Sequence, residues 1–273
     1  MTVQFCSFAS GSSGNCYMVK DDETTILIDA GISGKRIMTA LEETGTPADS
    51  VAAILVTHEH IDHVMSLPVM TKRIPGLVIY ANEATWSAIE RPVPEERRRT
   101  FVTGQDFYVG DFTIRTFAIS HDAAEPVGYS IYHRRDNEEG DDEVCQISIC
   151  TDSGCVSEEI FEEISCADLL VLEANHEKEV LLMGPYPYTL KQRILSDHGH
   201  LSNVDSCACL CRMIEEKPKS RRVLLGHLSH ENNSPDMVMI AARNSLEEAG
   251  YCIDEETRVT VALRNERSDI FEI

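Results

Sequence analysis

Ile54-Leu55-Val56-Thr57-His58-Glu59-His60-Ile61-Asp62-His63 is the stretch on which the reading of this 273-residue chain turns. An apolar run leads directly into three histidines and an aspartate crowded within six positions. Side chains alternate between the two faces of an extended strand, so His58 and His60 leave its end on one side. A turn immediately afterwards aims Asp62 and His63 at a second, neighbouring point. Imidazole nitrogen and carboxylate oxygen are the donors used by zinc, manganese and iron sites. The segment therefore reads as a metal-binding loop after a buried strand rather than a solvated turn.

Working outward, short apolar runs bounded by turn residues predict strands over 3–8, 16–19, 25–29 and 53–56. A helix is expected over 33–43, opened by Ser33 and closed by Gly45, and another over 82–90 with Asn82 as its cap. Strands resume over 112–119, 128–133, 145–150, 169–173 and 223–225. Helices fall over 158–164, 189–196, 204–215 and 235–249, before strands over 258–263 and at the C-terminus. A meander of strands followed by strand–helix alternation, once in each half, predicts a single α/β domain over 1–273: two packed sheets with helices outside. The acidic stretch 135–143 interrupts the strand pattern and reads as a hairpin loop.

A two-metal site needs further donors, each at a strand end so that packed sheets bring it to the same rim. His121 follows the strand over 112–119, Asp152 sits in Thr151-Asp152-Ser153-Gly154 after another, and His227 follows Val223 to Gly226. A lone His or Asp after a strand more often shapes a turn. Together with the first cluster, these three complete a set.

Composition bounds the alternatives. The formal charge of −22 argues against strong non-specific attraction to nucleic acid, although basic residues gather at 97–99, 191–193 and 217–222. No apolar run is long enough to span a bilayer, so no membrane partner is expected. The segment Met1-Thr2-Val3-Gln4-Phe5 enters a strand pattern at once and shows no secretory signal, which points to a cytoplasmic protein. The ten cysteines form no Cys-x-x-Cys pair, and Cys207, Cys209 and Cys211 lie in a helical pattern, so reduced, packed thiols and no disulfide-linked partner are expected.

The ligand pattern resembles the metallo-β-lactamase superfamily, and the resemblance implies a four-layer αββα sandwich of two mixed sheets with its metal site on one edge. It further implies two divalent transition-metal ions, zinc, manganese or iron. His58, His60 and His121 would hold one ion and Asp62, His63 and His227 the other, with Asp152 bridging them. Asp29, in Ile28-Asp29-Ala30-Gly31, matches the buried aspartate that buttresses the ligand loop in that superfamily. Two such ions, about 3.5–4 Å apart, bring a bridging water near neutral pKa and so supply hydroxide, with Asp62 counted among the catalytic groups.

Leu172-Glu173-Ala174-Asn175-His176 and His198-Gly199-His200-Leu201-Ser202-Asn203 look like the phosphodiesterase branch. Carried over, Glu173 would orient His200, and His200 would protonate the leaving oxygen. Leu201 between His200 and Ser202 departs from that branch's pattern. Phe8 to Cys16, Ser120 to Tyr129, Gly199 to Asn203 and Gly226 to Asn233 together resemble the WalJ/YycJ (VicX) subgroup. That implies a 5′-to-3′ DNA exonuclease with a part in mismatch repair. Ser12, Asn15, Ser202 and Asn232 are then the expected substrate contacts. The rivals are an RNA-directed nuclease and a small-molecule thioesterase or phosphodiesterase of the same fold; a thiolate leaving group needs no strong acid, so the Glu173 and His200 pair disfavours the thioesterase.

Overall fold

The computed structural model describes residues 2–136, 142–252 and 257–273. The first half runs β1 (Gln4–Ala9), β2 (Cys16–Lys20), β3 (Thr25–Ile28), α1 (Gly34–Glu43), β4 (Val51–Leu55), α2 (Ile61–Val64), α3 (Leu67–Arg73), β5 (Val78–Asn82), α4 (Glu83–Ala88) and β6 (Arg98–Phe101). The second half runs β7 (Phe107–Val109), β8 (Phe112–Ala118), β9 (Val127–Asp136), β10 (Asp142–Cys150), α5 (Glu158–Ile164), β11 (Leu169–Glu173), α6 (Lys178–Met183), α7 (Tyr188–Ile194), α8 (Asn203–Glu216), β12 (Arg221–Gly226), α9 (Pro235–Glu248), β13 (Thr257–Val261) and β14 (Phe271–Glu272).

Among the described residues the strands form two seven-stranded sheets, ordered β14-β1-β2-β3-β4-β5-β6 and β13-β12-β11-β10-β9-β8-β7. Both are mixed. Antiparallel pairing through β1, β2 and β3 gives way to parallel pairing from β3 to β6. Likewise β7 to β10 pair antiparallel and β10 to β13 parallel. Parallel neighbours need crossover connections, which is where the helices enter.

Period-two alternation separates the layers. Tyr17, Val19, Ile26, Ile28 and Leu55 meet Ile114, Tyr129, Ile131 and Val171 between the sheets. Their strand neighbours Met18, Leu27 and Ile54 face Ile37 and Leu41 of α1 and Met70 of α3. On the other side Leu170, Leu172 and Leu225 pack with Phe161, Leu210 and Val238 of α5, α8 and α9. The expected four-layer αββα sandwich of two mixed sheets is the observed one.

The helix expected over 158–164 coincides with α5, and Ser33 and Asn82 cap α1 and α4 by accepting from Arg36 N and Thr85 N. The sequence did not announce α2, α3, α6 or β5 to β7. A single turn such as α2 carries no period, and β6 opens on the exposed Arg98 and Arg99, as an edge strand tolerates. β9 and β10 pair as a hairpin, with Asp136 opposite Asp142; the loop expected over 135–143 falls largely outside the described residues. Cys6, Cys16, Cys150, Cys155, Cys166, Cys207, Cys209, Cys211 and Cys252 are free thiols, with Cys207 and Cys209 in the buried face of α8. Among the described residues no helix is long and apolar enough to cross a membrane.

A buried side-chain hydrogen bond helps tie the sheets together beside the ligand loop. The fully buried Tyr129 hydroxyl on β9 donates to the carbonyl of Val56 at 2.6 Å. Tyr129→Phe is expected to lose about 1–3 kcal/mol by stripping a buried acceptor of its donor. Urea unfolding of the two proteins measures the difference.

Candidate metal centre

Strand register decides the site. Ile28 pairs with Leu55, Cys150 with Leu172, and Glu173 with Gly226, so residues just past these strands emerge side by side on one edge. Three of them, Asp29, Asp152 and His227, take left-handed backbone with φ of 61°, 59° and 55°. That conformation costs an ordinary residue roughly 1–2 kcal/mol, and such outliers gather at functional sites. Here it turns each side chain back over the sheet edge.

The structure brings all seven predicted donors together. His58, His60 and His121 offer nitrogens within 4.8 Å of one another, as do the donor atoms of Asp62, His63 and His227 and those of His58, His63 and Asp152. Asp152 sits between the groups: Oδ2 is 3.3 Å from His63 Nε2, while Oδ1 is 3.4 Å from His227 Nε2 and 3.8 Å from His121 Nε2. Asp62 Oδ2 lies 3.6 Å from His63 Nε2.

What surrounds these donors fits a metal. His63 Nδ1 donates to Asp29 Oδ2 at 2.7 Å, His121 Nδ1 to the Gly199 carbonyl at 3.2 Å, and His227 Nδ1 to Glu173 Oε1 at 2.7 Å. Each such bond fixes the tautomer and turns Nε2 toward the centre, where that of His63 also lies 3.1 Å from Asn15 Nδ2. His227 Nε2 and Asp152 Oδ2 are buried with no hydrogen-bond partner among the described residues. Burying such groups unpaired is costly, and a cation removes the cost. Burial, joined by the neighbouring His63, pushes His58 well below the usual imidazole range and keeps it neutral. Burial opposes ionisation of Asp152, but His227 and His63 outweigh it and hold the carboxyl well below the usual range.

Asp29 is fully buried and accepts from Thr57 N at 2.9 Å as well as from His63, so it braces the ligand loop as expected. Glu173 is also fully buried and does more than the sequence reading assigned it. Its Oε1 accepts from His200 Nδ1 at 2.8 Å and from His227 Nδ1, while Oε2 accepts from Ser153 N at 2.8 Å. One carboxylate thus orients both a donor and the candidate acid.

Residues 24–228 match the family model described as a beta-lactamase superfamily domain. The chain belongs to the metallo-β-lactamase superfamily. It is 36% identical over 258 residues to exodeoxyribonuclease YycJ of Bacillus anthracis, covering 93% of each chain. It is also 36% identical to exodeoxyribonuclease WalJ of Streptococcus pneumoniae, covering 94% of this chain and 93% of that one. Among solved structures, the metallo-β-lactamase fold protein YhfI from Bacillus subtilis superposes with a TM-score of 0.70 at 17% identity, over the whole of both chains.

The expected substrate contacts fare differently from the donors. Ser12 is exposed and lines a cleft of about 180 Å³ with Tyr186, Arg193 and His200. Asn15 is fully buried: its Oδ1 accepts from Gly11 N at 2.9 Å, and its Nδ2 stands 3.1 Å from His63 Nε2. It shapes the Ser10 to Asn15 loop, which Ser10 stitches to the centre by accepting from His227 N at 2.8 Å. Ser202 is the buried N-cap of α8, and Asn232 is buried in a turn against Ser229. All three are buried; Asn15 and Ser202 spend their polar atoms on their own loops, whereas Asn232 Oδ1 has no hydrogen-bond partner among the described residues.

Two residues near the centre escaped the reading as site residues. Arg264 donates to the Leu228 carbonyl at 2.6 Å and approaches Ser12 Oγ at 3.5 Å, but it follows β13 without any motif. In the sequence His176 stands out only as part of its segment. It is 1% exposed, neither ring nitrogen has a hydrogen-bond partner among the described residues, and burial pushes it down to about 4. An unpartnered buried imidazole shows only in three dimensions.

Proposed function

We propose that the chain is a two-metal exodeoxyribonuclease that removes nucleotides from the 5′ end of DNA in the cytoplasm. The observation that carries this reading is the buried Glu173 holding His200 beside the donor cluster, in a chain 36% identical along nearly its full length to proteins named exodeoxyribonucleases. His58, His60 and His121 would hold one divalent ion and Asp62, His63 and His227 the other, with Asp152 placed to serve both. Zinc, manganese and iron all suit this donor set. Two such ions supply a nucleophile at neutral pH and stabilise charge on the attacked phosphate.

The chain's own residues supply the rest. Glu173 keeps the proton of His200 on Nδ1 in the bond between them, and a second proton on Nε2 is the one available to the leaving oxygen. Burial lowers the proton affinity of His200, but Glu173 outweighs it and raises it above the usual imidazole value, so an acid is ready near neutral pH. His200→Phe is expected to lower turnover by about 100-fold or more with metal content retained. Glu173→Gln lowers metal affinity as well, by about 10- to 100-fold, because it also loosens His227. Metal titration alongside turnover separates the two effects.

The function itself is tested by incubating metal-loaded protein with labelled single-stranded DNA, double-stranded DNA and matched RNA. Stepwise loss from the 5′ end of DNA is expected. Preference for RNA, or intact polymers alongside hydrolysis of a small thioester, would overturn the assignment while leaving the fold untouched.

A further inference from the structure

His200 forms part of two separate clefts, and among the described residues it is the one their linings share. The smaller, of about 180 Å³, carries Ser12 and Arg193. The larger, of about 520 Å³, lies between the loop after Asp152, the approach to α8 and α8 itself. Its volume falls in the range of small-molecule sites.

The chemistry of the larger cleft selects its occupant. Val156, Phe161, Leu195, Leu201 and Cys209 give it an apolar wall, beside the polar Lys178, Asp205 and Arg212. Its cations are already matched: Lys178 pairs with Asp205 at 3.0 Å, and Arg212, 3.7 Å over the Phe161 ring, is held by Glu158 and Glu216. Asp197 adds a carboxylate at the margin. A phosphate finds no free cation there, whereas a flat, neutral group with hydrogen-bonding edges does fit. His176 supplies the polar partner, since its neutral ring offers one donor and one acceptor, both unspent.

We propose that this cleft receives the nucleobase of the 5′-terminal nucleotide, an inference that rests on the exonuclease reading. The reaction places it there. Water adds to phosphorus and releases a proton to solvent, the P–O3′ bond breaks, and the proton of His200 passes to the O3′ of the departing terminal nucleotide. The new 5′-phosphate stays with the shortened strand. The terminal sugar and base therefore lie against His200, and the retained strand leaves through the cleft of Ser12 and Arg193.

The test uses 5′-phosphorylated DNA strands carrying an abasic tetrahydrofuran unit at position 1, the same unit at position 3, or neither. A terminal abasic unit is expected to lower kcat/KM by about tenfold or more relative to the natural strand, an effect of the size of one lost base contact. The unit at position 3 has a smaller effect. Ala208→Trp, which fills the cleft from an exposed helix position, and His176→Phe, which keeps the ring and removes both nitrogens, bring the terminal ratio toward one. His176→Phe retains its thermal midpoint, because no hydrogen bond is lost. Calorimetry of the Asp152→Ala protein adds a readout apart from turnover: deoxyadenosine 5′-monophosphate binds at least tenfold more tightly than deoxyribose 5-phosphate, and Ala208→Trp abolishes the difference. Equal degradation of natural and abasic-ended strands, even with nucleotide bound in the cleft, overturns the proposal and leaves the nuclease reading standing. Failure to degrade any strand overturns both.

Discussion

Asp152→Ala is expected to reduce hydrolysis of DNA by about a thousand-fold and to lower bound metal by at least one ion per chain. The magnitude follows from removing a preorganised charge in a water-poor site, an effect on the order of 10²–10³. The carboxylate stands between both histidine groups, with each oxygen within 4 Å of at least one ligand nitrogen. Its left-handed backbone and near-complete burial hold the side chain in this position. Metal analysis and turnover on the same preparation check the result. Retained metal with full activity would remove Asp152 from the centre.

Gly31→Ala is expected to be as damaging through packing alone. A Cβ at position 31 would stand 1.5 Å from the Asp62 carbonyl oxygen and 2.8 Å from His63 N, both backbone atoms of the ligand loop. Nothing there is a flexible side-chain end. Asp62 O also accepts from Asn15 N at 2.8 Å, and Ala30 N donates to His63 O at 2.8 Å, so the loop is pinned from both sides. Relief therefore requires Asp62 and His63 to move together, at a cost of roughly 3 kcal/mol or more, the upper end of overpacking. Gly45→Ala is the control: its left-handed φ of 64° is strained for alanine, but nothing lies within 4 Å of the new atom. Thermal unfolding and metal titration of both variants should separate strain at a helix end from displacement of two ligands.

The donor set was legible because strand ends and histidines are local signals. Apolar alternation located β3, β4, β8, β10, β11 and β12, and the polar residue after each strand followed. The layered fold was legible for the same reason, since period two and helix caps are written over a few neighbouring residues. What stayed hidden depends on distant partners. Nothing around Glu173 indicates that it serves His227 as well as His200, because those contacts span 54 and 27 residues. Asn15, Ser202 and Asn232 look available to a substrate because their types often are; only the structure shows all three buried, with Asn15 and Ser202 bonded within their own loops. Arg264 belongs to no pattern and reaches Leu228 and Ser12 through the path of the chain alone.

The hydrogen bond from His227 N to Ser10 Oγ joins residues 217 positions apart. Contacts of such separation are made only after the intervening chain has found its place, since the entropy of closing the loop must be met first. The donors come from strands of both sheets, so neither half alone carries a complete set. Hydrolytic power is therefore a property acquired late in folding: a nascent or partly folded chain has the histidines and aspartates but no common point at which they converge.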